Sequence, residues 1–188
     1  MSRSQPYQPF LLRILHAGNA LLAIASAITG FLVYDSWDGR WGKIGLTQAN
    51  RSLIDIHGTF AFFLFFLFIG FAIYSLKYGR QRLIPPDAAS KLAQLGKPIW
   101  WHTLHRIANT AILFSLSLSV LSGKFQDENW LPNGDMNHIW YFVHLIAWAT
   151  FIVAIALHLL MSAKVGGVPL FLSMFDRSYR PEESPALW

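Results

Sequence analysis

The sequence predicts an all-α integral membrane protein, an up-and-down bundle of four helices with both termini in the cytoplasm. Three observations predict this fold class. Of the 188 residues, 54% are hydrophobic and only 13% are charged, whereas a soluble domain carries roughly a quarter charged residues. The apolar residues gather in four stretches, each long enough for the ~20 residues that a spanning helix needs. The basic residues gather in alternate connections, which is typical of membrane proteins.

The four apolar stretches set the predicted helix boundaries. They cover about residues 10–34, 52–76, 101–123 and 138–161. The first is not interpreted as a cleavable signal peptide, because its apolar part is too long and Arg13 and His16 interrupt its start. Residues 1–175 are expected to form a single transmembrane domain, and residues 176–188 a polar C-terminal tail.

Most of the fifteen Lys and Arg residues fall on one predicted side of the membrane. They lie near both ends of the chain and in the connection over residues 77–106. The connection over residues 123–137 instead carries Lys124 among three acids, Asp127, Glu128 and Asp135. Because Lys and Arg accumulate on the cytoplasmic side, both termini and the 77–106 connection are predicted to be cytoplasmic. The net charge of +5 therefore does not call for a nucleic acid partner.

The chain has no cysteine, which limits the chemistry of its own side chains. Disulfides, iron–sulfur clusters, thiolate zinc sites and cysteine nucleophiles are excluded. Redox chemistry in this chain would need a cofactor that other ligands hold.

Four of the seven histidines satisfy a joint geometric condition. His144 and His158 lie fourteen residues apart on the fourth predicted helix, which places them roughly 21 Å apart along its axis and on the same side. His16 lies near the start of the first helix, at the depth of His158. His57 lies near the start of the second helix, at the depth of His144. The sequence therefore predicts two pairs of histidines, each pair joining two helices at one depth.

Facing imidazoles are typical axial ligands of haem iron, and helix bundles commonly hold cofactors between facing helices. Zinc fits less well, because it takes three or four close ligands and each depth offers only two. The pattern favours two b-type haems, one between His16 and His158 and the other between His57 and His144. The alternative for each residue is an ordinary structural histidine at the interface or against a neighbouring helix.

Several neighbouring residues are consistent with haem but have plainer explanations. Gly58 and Gly18 would let a flat ring approach the backbone. Arg13 and Arg106 could pair with the propionates of the inner haem, or they could be ordinary charge at the inner surface.

Three further histidines remain open. His105 could line a quinone site or the edge of the inner haem. His102 or His105 could also replace His16 as the inner ligand. Otherwise His102 and His138 are interpreted as interfacial residues without a role.

The ordered set of motifs resembles the bacterial cytochrome b561 family. The segments are LLRILHAGNALL, SLIDIHGTFAFF, WWHTLHRIANTAILF and the fourth stretch with His144 and His158. The family belongs to a wider set of four-helix di-haem cytochromes, which includes the b subunits of membrane formate dehydrogenases and nickel–iron hydrogenases. The animal and plant type is less similar, because it uses histidine pairs on two helices.

The resemblance implies that His16 with His158 ligates one haem b, and His57 with His144 the other. It implies electron transfer between a donor and the quinone pool, with a quinone near one haem, in the bacterial inner (plasma) membrane. The Gly- and Trp-rich connection over residues 35–51 departs from the family pattern and could form a donor or partner site.

Three functions are compatible with these features. The chain could be a stand-alone quinone-linked oxidoreductase, in which a small donor such as superoxide reacts at the outer haem. It could be a cytochrome b subunit that receives electrons from an iron–sulfur or dehydrogenase partner. It could also be a membrane protein that binds haem without catalysis. The basic residues near the outer face could steer an anion; they are Arg40, Lys43, Arg51 and Lys124.

Overall fold

The computed structural model describes residues 7–176, and that range is helical with no strand. Its helices are α1 (Phe10–Trp37), α2 (Arg51–Lys77), α3 (Ala88–Leu92), α4 (Pro98–Lys124) and α5 (Ile139–Leu172), with a 3-10 helix at Arg80–Arg82. All but the short α3 and the 3-10 helix are long and apolar enough to cross a membrane. The predicted all-helical fold with four spans is therefore confirmed.

The ends of the long helices follow from local chemistry. Asn50 precedes α2, and its side chain accepts a hydrogen bond from the Ser52 backbone N–H at 3.0 Å, as a helix N-cap does. Proline fits the first turn of a helix, because the N–H that it lacks has no intrahelical acceptor there. Helix α4 therefore begins at Pro98, a few residues before the predicted start.

Helix α5 runs past its predicted end near Met161 and reaches Leu172 with a bend. Gly167 lies in the left-handed region at φ +60°, and Pro169 follows inside the helix. Glycine adopts that conformation without strain, and proline removes a backbone donor, so the axis bends where they occur. Of the predicted polar tail, only Asp176 lies within the described residues.

The four long helices form two antiparallel pairs that face each other. Helix α1 packs chiefly on α2, and α4 packs chiefly on α5. A buried apolar layer joins the two pairs near the middle of the bundle. It consists of Ala23, Ala27, Leu64, Phe68, Leu116 and Phe151. The predicted histidine pairs lie on either side of this layer along the bundle axis.

The two ends of the bundle differ in the segments that they carry. We call the end with residues 7–9, 78–97 and 173–176 the termini end. Gln8 and Arg82 meet there, with the Arg82 guanidinium donating to the Gln8 side-chain carbonyl at 3.2 Å. We call the end with the connections 38–50 and 125–138 the loop end.

The connection over residues 38–50 folds onto the last turns of α1. The buried carboxylate of Asp35 accepts hydrogen bonds from three successive backbone N–H groups, those of Ile44, Gly45 and Leu46, at 2.5, 3.0 and 2.7 Å. Ser36 adds a side-chain contact to Thr47 at 2.6 Å. The Gly- and Trp-rich segment is thus held at the depth of the α1 terminus.

Arg40 joins the two connections at the loop end. Its guanidinium donates to the Asp38 carboxylate at 2.6 Å and to the Met136 backbone carbonyl at 2.8 Å. The Tyr141 hydroxyl donates to the same carboxylate at 2.9 Å. These contacts tie the α1–α2 connection to the start of α5.

Candidate functional site

The structure brings together both predicted pairs of histidines. The ring centres of His16 and His158 are 6.3 Å apart in the half towards the termini end. Those of His57 and His144 are 6.1 Å apart in the half towards the loop end. With a metal–nitrogen bond of about 2 Å on each side and ~1 Å from nitrogen to ring centre, two axial imidazoles would have centres roughly 6 Å apart. Both separations fit a shared metal ion.

His57 is oriented by the preceding helix. Its Nδ1 lies 3.1 Å from the Ser26 backbone carbonyl and 3.2 Å from the Thr29 hydroxyl. A carbonyl oxygen only accepts hydrogen bonds, so Nδ1 is the protonated nitrogen and Nε2 keeps its lone pair. An imidazole that ligates a metal characteristically donates its other N–H to such an acceptor.

His144 is oriented in the same sense by α4. Its Nδ1 lies 3.1 Å from the Ser122 hydroxyl oxygen. That hydroxyl donates to the Leu118 backbone carbonyl at 2.6 Å, so it accepts from the imidazole. Nε2 of His144 is again the nitrogen with the lone pair.

His158 donates its hydrogen bond to a side-chain amide. Its Nδ1 lies 2.7 Å from Oδ1 of Asn109. The amide nitrogen of Asn109 donates to the Arg82 backbone carbonyl at 3.0 Å, which fixes Oδ1 as the atom that faces the imidazole. In three imidazoles, at two depths, Nε2 is therefore the nitrogen that keeps its lone pair.

Two glycines that the sequence analysis did not single out make room for the loop-end pair. A Cβ on Gly30 would lie 3.1 Å from Cε1 of His57, and a Cβ on Gly123 would lie 3.3 Å from Cε1 of His144. Both contacts would be tighter than ordinary packing, so a side chain at either position would press on a ring that is already hydrogen-bonded.

Gly18 and Gly58, which were predicted to let a flat ring approach the backbone, have different surroundings. A Cβ on Gly18 would approach the Leu67 side chain to 2.7 Å, so this glycine serves the packing of α1 on α2. Gly58 faces open space and lines the cavity beside His57.

A cavity of about 400 Å³ contains the loop-end pair. Its wall is mainly apolar and includes Trp148 and Phe65, with Lys124 among its few charged residues. Small-molecule sites commonly combine such an apolar wall with a few polar groups. Within residues 7–176, no group of three or more His, Asp or Glu side chains could hold a metal ion by itself.

The two arginines proposed for propionates bind backbone at the termini end. Arg13 is buried, donates to the Asp176 backbone carbonyl and lies over the rings of Tyr7 and Phe10 at 5.7 and 5.8 Å. Nε of Arg106 donates to the Leu83 backbone carbonyl at 2.6 Å. Each therefore holds chain segments together at that end, whatever else it contacts.

The other three histidines have distinct surroundings. The ring centre of His105 lies 5.1 Å from that of His158, and its Nε2 lies 3.1 Å from the Ser162 hydroxyl. His102 is exposed. His138 is exposed and stacks on Trp130 with ring centres 3.8 Å apart.

The hydrogen-bonding partners of the paired histidines were missed at the level of sequence. They are Ser26, Thr29, Asn109 and Ser122. The available signal was a polar residue inside an apolar stretch. That signal is weak for Ser and Thr, because their hydroxyls commonly bond the carbonyl four residues earlier in the same helix.

Comparison with known proteins agrees with the resemblance drawn from the motifs. The family described as prokaryotic cytochrome b561 matches residues 7–177, nearly the whole chain. No curated protein and no solved structure matches it. The family and the four apolar helices support a multi-pass bacterial membrane protein that binds haem b and transfers electrons. The chain belongs to the prokaryotic cytochrome b561 family.

Proposed function

We propose that this chain transfers electrons across the bacterial inner membrane, between a donor and the quinone pool, by means of two b-type haems. His16 and His158 would ligate one haem, and His57 and His144 the other. When bound, a b-type haem takes up and releases one electron at its iron.

One observation carries this proposal. Two imidazole pairs lie at two depths of a membrane bundle, with ring centres 6.3 and 6.1 Å apart. In three of these rings a hydrogen bond fixes the proton on Nδ1. Each of these rings also faces a second imidazole, at the separation expected for two ligands of one metal ion.

The chain's own residues then have defined tasks. The four imidazoles hold the two sites, and their helix-side acceptors keep the rings from turning. The middle layer, which includes Leu116 and Phe151, keeps water out between the sites. The basic excess at the termini end supports a cytoplasmic location for that end.

His105 supports a quinone position near the termini-end pair. Its ring lies beside His158, and its Nε2 contacts the Ser162 hydroxyl. An imidazole next to a hydroxyl can donate to a quinone carbonyl or pass on a proton. Membrane quinone reaches such a site from the lipid that surrounds the four spans.

Haem stoichiometry tests the ligand assignment. We expect the purified chain to bind two haems and to show a b-type α-band when reduced. The substitutions His158→Ala and His144→Ala should each remove one haem, because each leaves a bis-histidine site with one of its two ligands. The matched control is His138→Ala, which removes an exposed imidazole that stacks on Trp130 and should leave both haems in place.

Retention of two haems with unchanged spectra in both ligand variants would show that the assignment is wrong.

The same preparations can distinguish a stand-alone oxidoreductase from a subunit of a larger complex. Rapid reduction of the isolated chain by a small donor such as superoxide, with quinone turnover, supports a stand-alone oxidoreductase. Copurification of iron–sulfur subunits that are needed for reduction would support the subunit role instead.

A further inference from the structure

Asn109 occupies a junction between the termini-end histidine pair and the connection that precedes α4. Its Oδ1 accepts from Nδ1 of His158 at 2.7 Å, and its Nδ2 donates to the Arg82 backbone carbonyl at 3.0 Å. The amide is thus bound on both sides, and neither bond is to its own helix. Such a side chain is a fixed acceptor rather than one that rotates to suit the ring.

The connection is fastened to α4 on both sides of this contact. Nε of Arg106 donates to the Leu83 carbonyl at 2.6 Å, and the Ile84 N–H donates to the Thr110 hydroxyl at 2.8 Å. Three successive residues, 82–84, are therefore held by one face of α4. Within this segment the Arg82 carbonyl sets which way the Asn109 amide faces, and with it the ring of His158.

The other two oriented histidines lack this arrangement. His144 donates to the hydroxyl of Ser122, which is bound to its own helix, and His57 donates to the backbone carbonyl of Ser26. The acceptor of an axial imidazole tunes how strongly the ring donates to iron, and with it the reduction potential of the haem. The bond to His158 is also the shortest of the three.

We propose that Asn109 is a positioning residue for His158. It fixes the ring and its tautomer, and it sets the reduction potential of the termini-end haem separately from that of the loop-end haem. This inference rests on the proposed ligation by His158.

Redox titration followed by optical spectra tests the inference in the purified full chain. Asn109→Asp places a carboxylate against Nδ1, makes the imidazole a stronger donor and should lower the midpoint potential of one haem. Asn109→Leu removes the acceptor, should raise that midpoint, and should weaken retention of one haem by about tenfold or more, as losses of outer-sphere partners do. The midpoint of the second haem should not move.

Two control variants separate ring positioning from general loosening. Thr110→Val removes the hydroxyl that holds Ile84 but leaves the Asn109–His158 bond, so it should move neither midpoint. Ser122→Ala removes the acceptor of His144 and should shift the other midpoint only. If Asn109→Leu fails to fold, the Asn109→Asp titration decides alone.

Unchanged midpoints in the Asn109 variants would overturn the inference, and so would equal shifts of both haems or the same shift in Thr110→Val. Failure of the proposed function would look different, because the wild-type chain itself would then lack two b-type haems.

Discussion

Each oriented histidine owes its chemistry to one acceptor on a neighbouring helix. The Ser26 carbonyl, the Ser122 hydroxyl and the Asn109 side-chain carbonyl each accept a hydrogen bond from Nδ1–H. An imidazole inside a membrane is costly unless its polar atoms are satisfied. When a neighbouring helix accepts the hydrogen bond of Nδ1–H, only Nε2 is left for a ligand. The same hydrogen bond therefore lowers the cost of placing the imidazole in the membrane and orients its ring.

Gly30 offers a test of how tightly the loop-end pair is held. A side chain there meets Cε1 of His57, and movement of the ring away from it would lengthen the contacts of Nδ1 with Ser26 and Thr29 on the same helix. We expect Gly30→Val to destabilise the fold by about 1–3 kcal/mol through overpacking and to lower occupancy of one haem. Haem per chain and the thermal midpoint would measure both effects.

The matched variant is Gly70→Val, on the exposed face of α2 where an added Cβ meets nothing within 4 Å. It should keep both haems and nearly wild-type stability. Equal haem loss in the two variants would mean that valine in a spanning helix, and not pressure on His57, causes the effect.

Helical periodicity, together with the depth of each histidine along its membrane helix, was sufficient to predict which four histidines lie in pairs. They could not predict Gly30 or Gly123, because the consequence of a missing side chain depends on which ring lies opposite. Nor could they predict that Asn109 faces His158. A helical period gives the direction of a residue on its own helix, whereas a contact also depends on the rotation of the partner helix.

The long helices were predicted well because an apolar run must be long enough to span the bilayer. Their ends were predicted less well. Helix α5 continues past its predicted end near Met161 to Gly167, where the backbone leaves helical geometry, and helical turns resume up to Leu172. The connection over residues 38–50 looked like a loop in sequence, and its attachment to Asp35 depends on backbone N–H groups that composition does not reveal.

Asp35 makes the 38–50 connection an element of defined structure. We expect Asp35→Asn to release it, because an amide presents one acceptor where the carboxylate presented two, and hydrogen bonds to a charged acceptor are the stronger kind. Hydrogen exchange at the backbone amides of Ile44, Gly45 and Leu46 should become several-fold faster. Exchange along α4 should not change.

Asp55→Asn is the control for this element, since Asp55 is an exposed carboxylate on α2. It should leave exchange in the 38–50 connection at the wild-type rate. If Asp35→Asn behaved the same way, the remaining contacts, such as Ser36 with Thr47, would be enough to hold the segment.

The whole molecule combines two kinds of interface. Within each helix pair the packing is continuous. The two pairs meet through the middle apolar layer, through the histidines on either side of it, and through a second buried cluster at the loop end that consists of Tyr34, Tyr141 and Leu145. This arrangement leaves a cavity of about 400 Å³ around the loop-end pair, beside the apolar centre. The same plan separates the basic termini end from the more acidic 125–138 connection at the loop end.

The charge difference predicts the orientation in the membrane, and because the chain has no cysteine, single introduced cysteines can test it. Asn133 is exposed at the loop end, and Gln94 is exposed at the termini end. Basic segments stay in the cytoplasm. A membrane-impermeant maleimide should therefore label Asn133→Cys in cells in which only the outer membrane has been permeabilised. Gln94→Cys should react only after the inner membrane is permeabilised. The reverse pattern would place the termini outside, and the termini-end pair would then lie near the outer face.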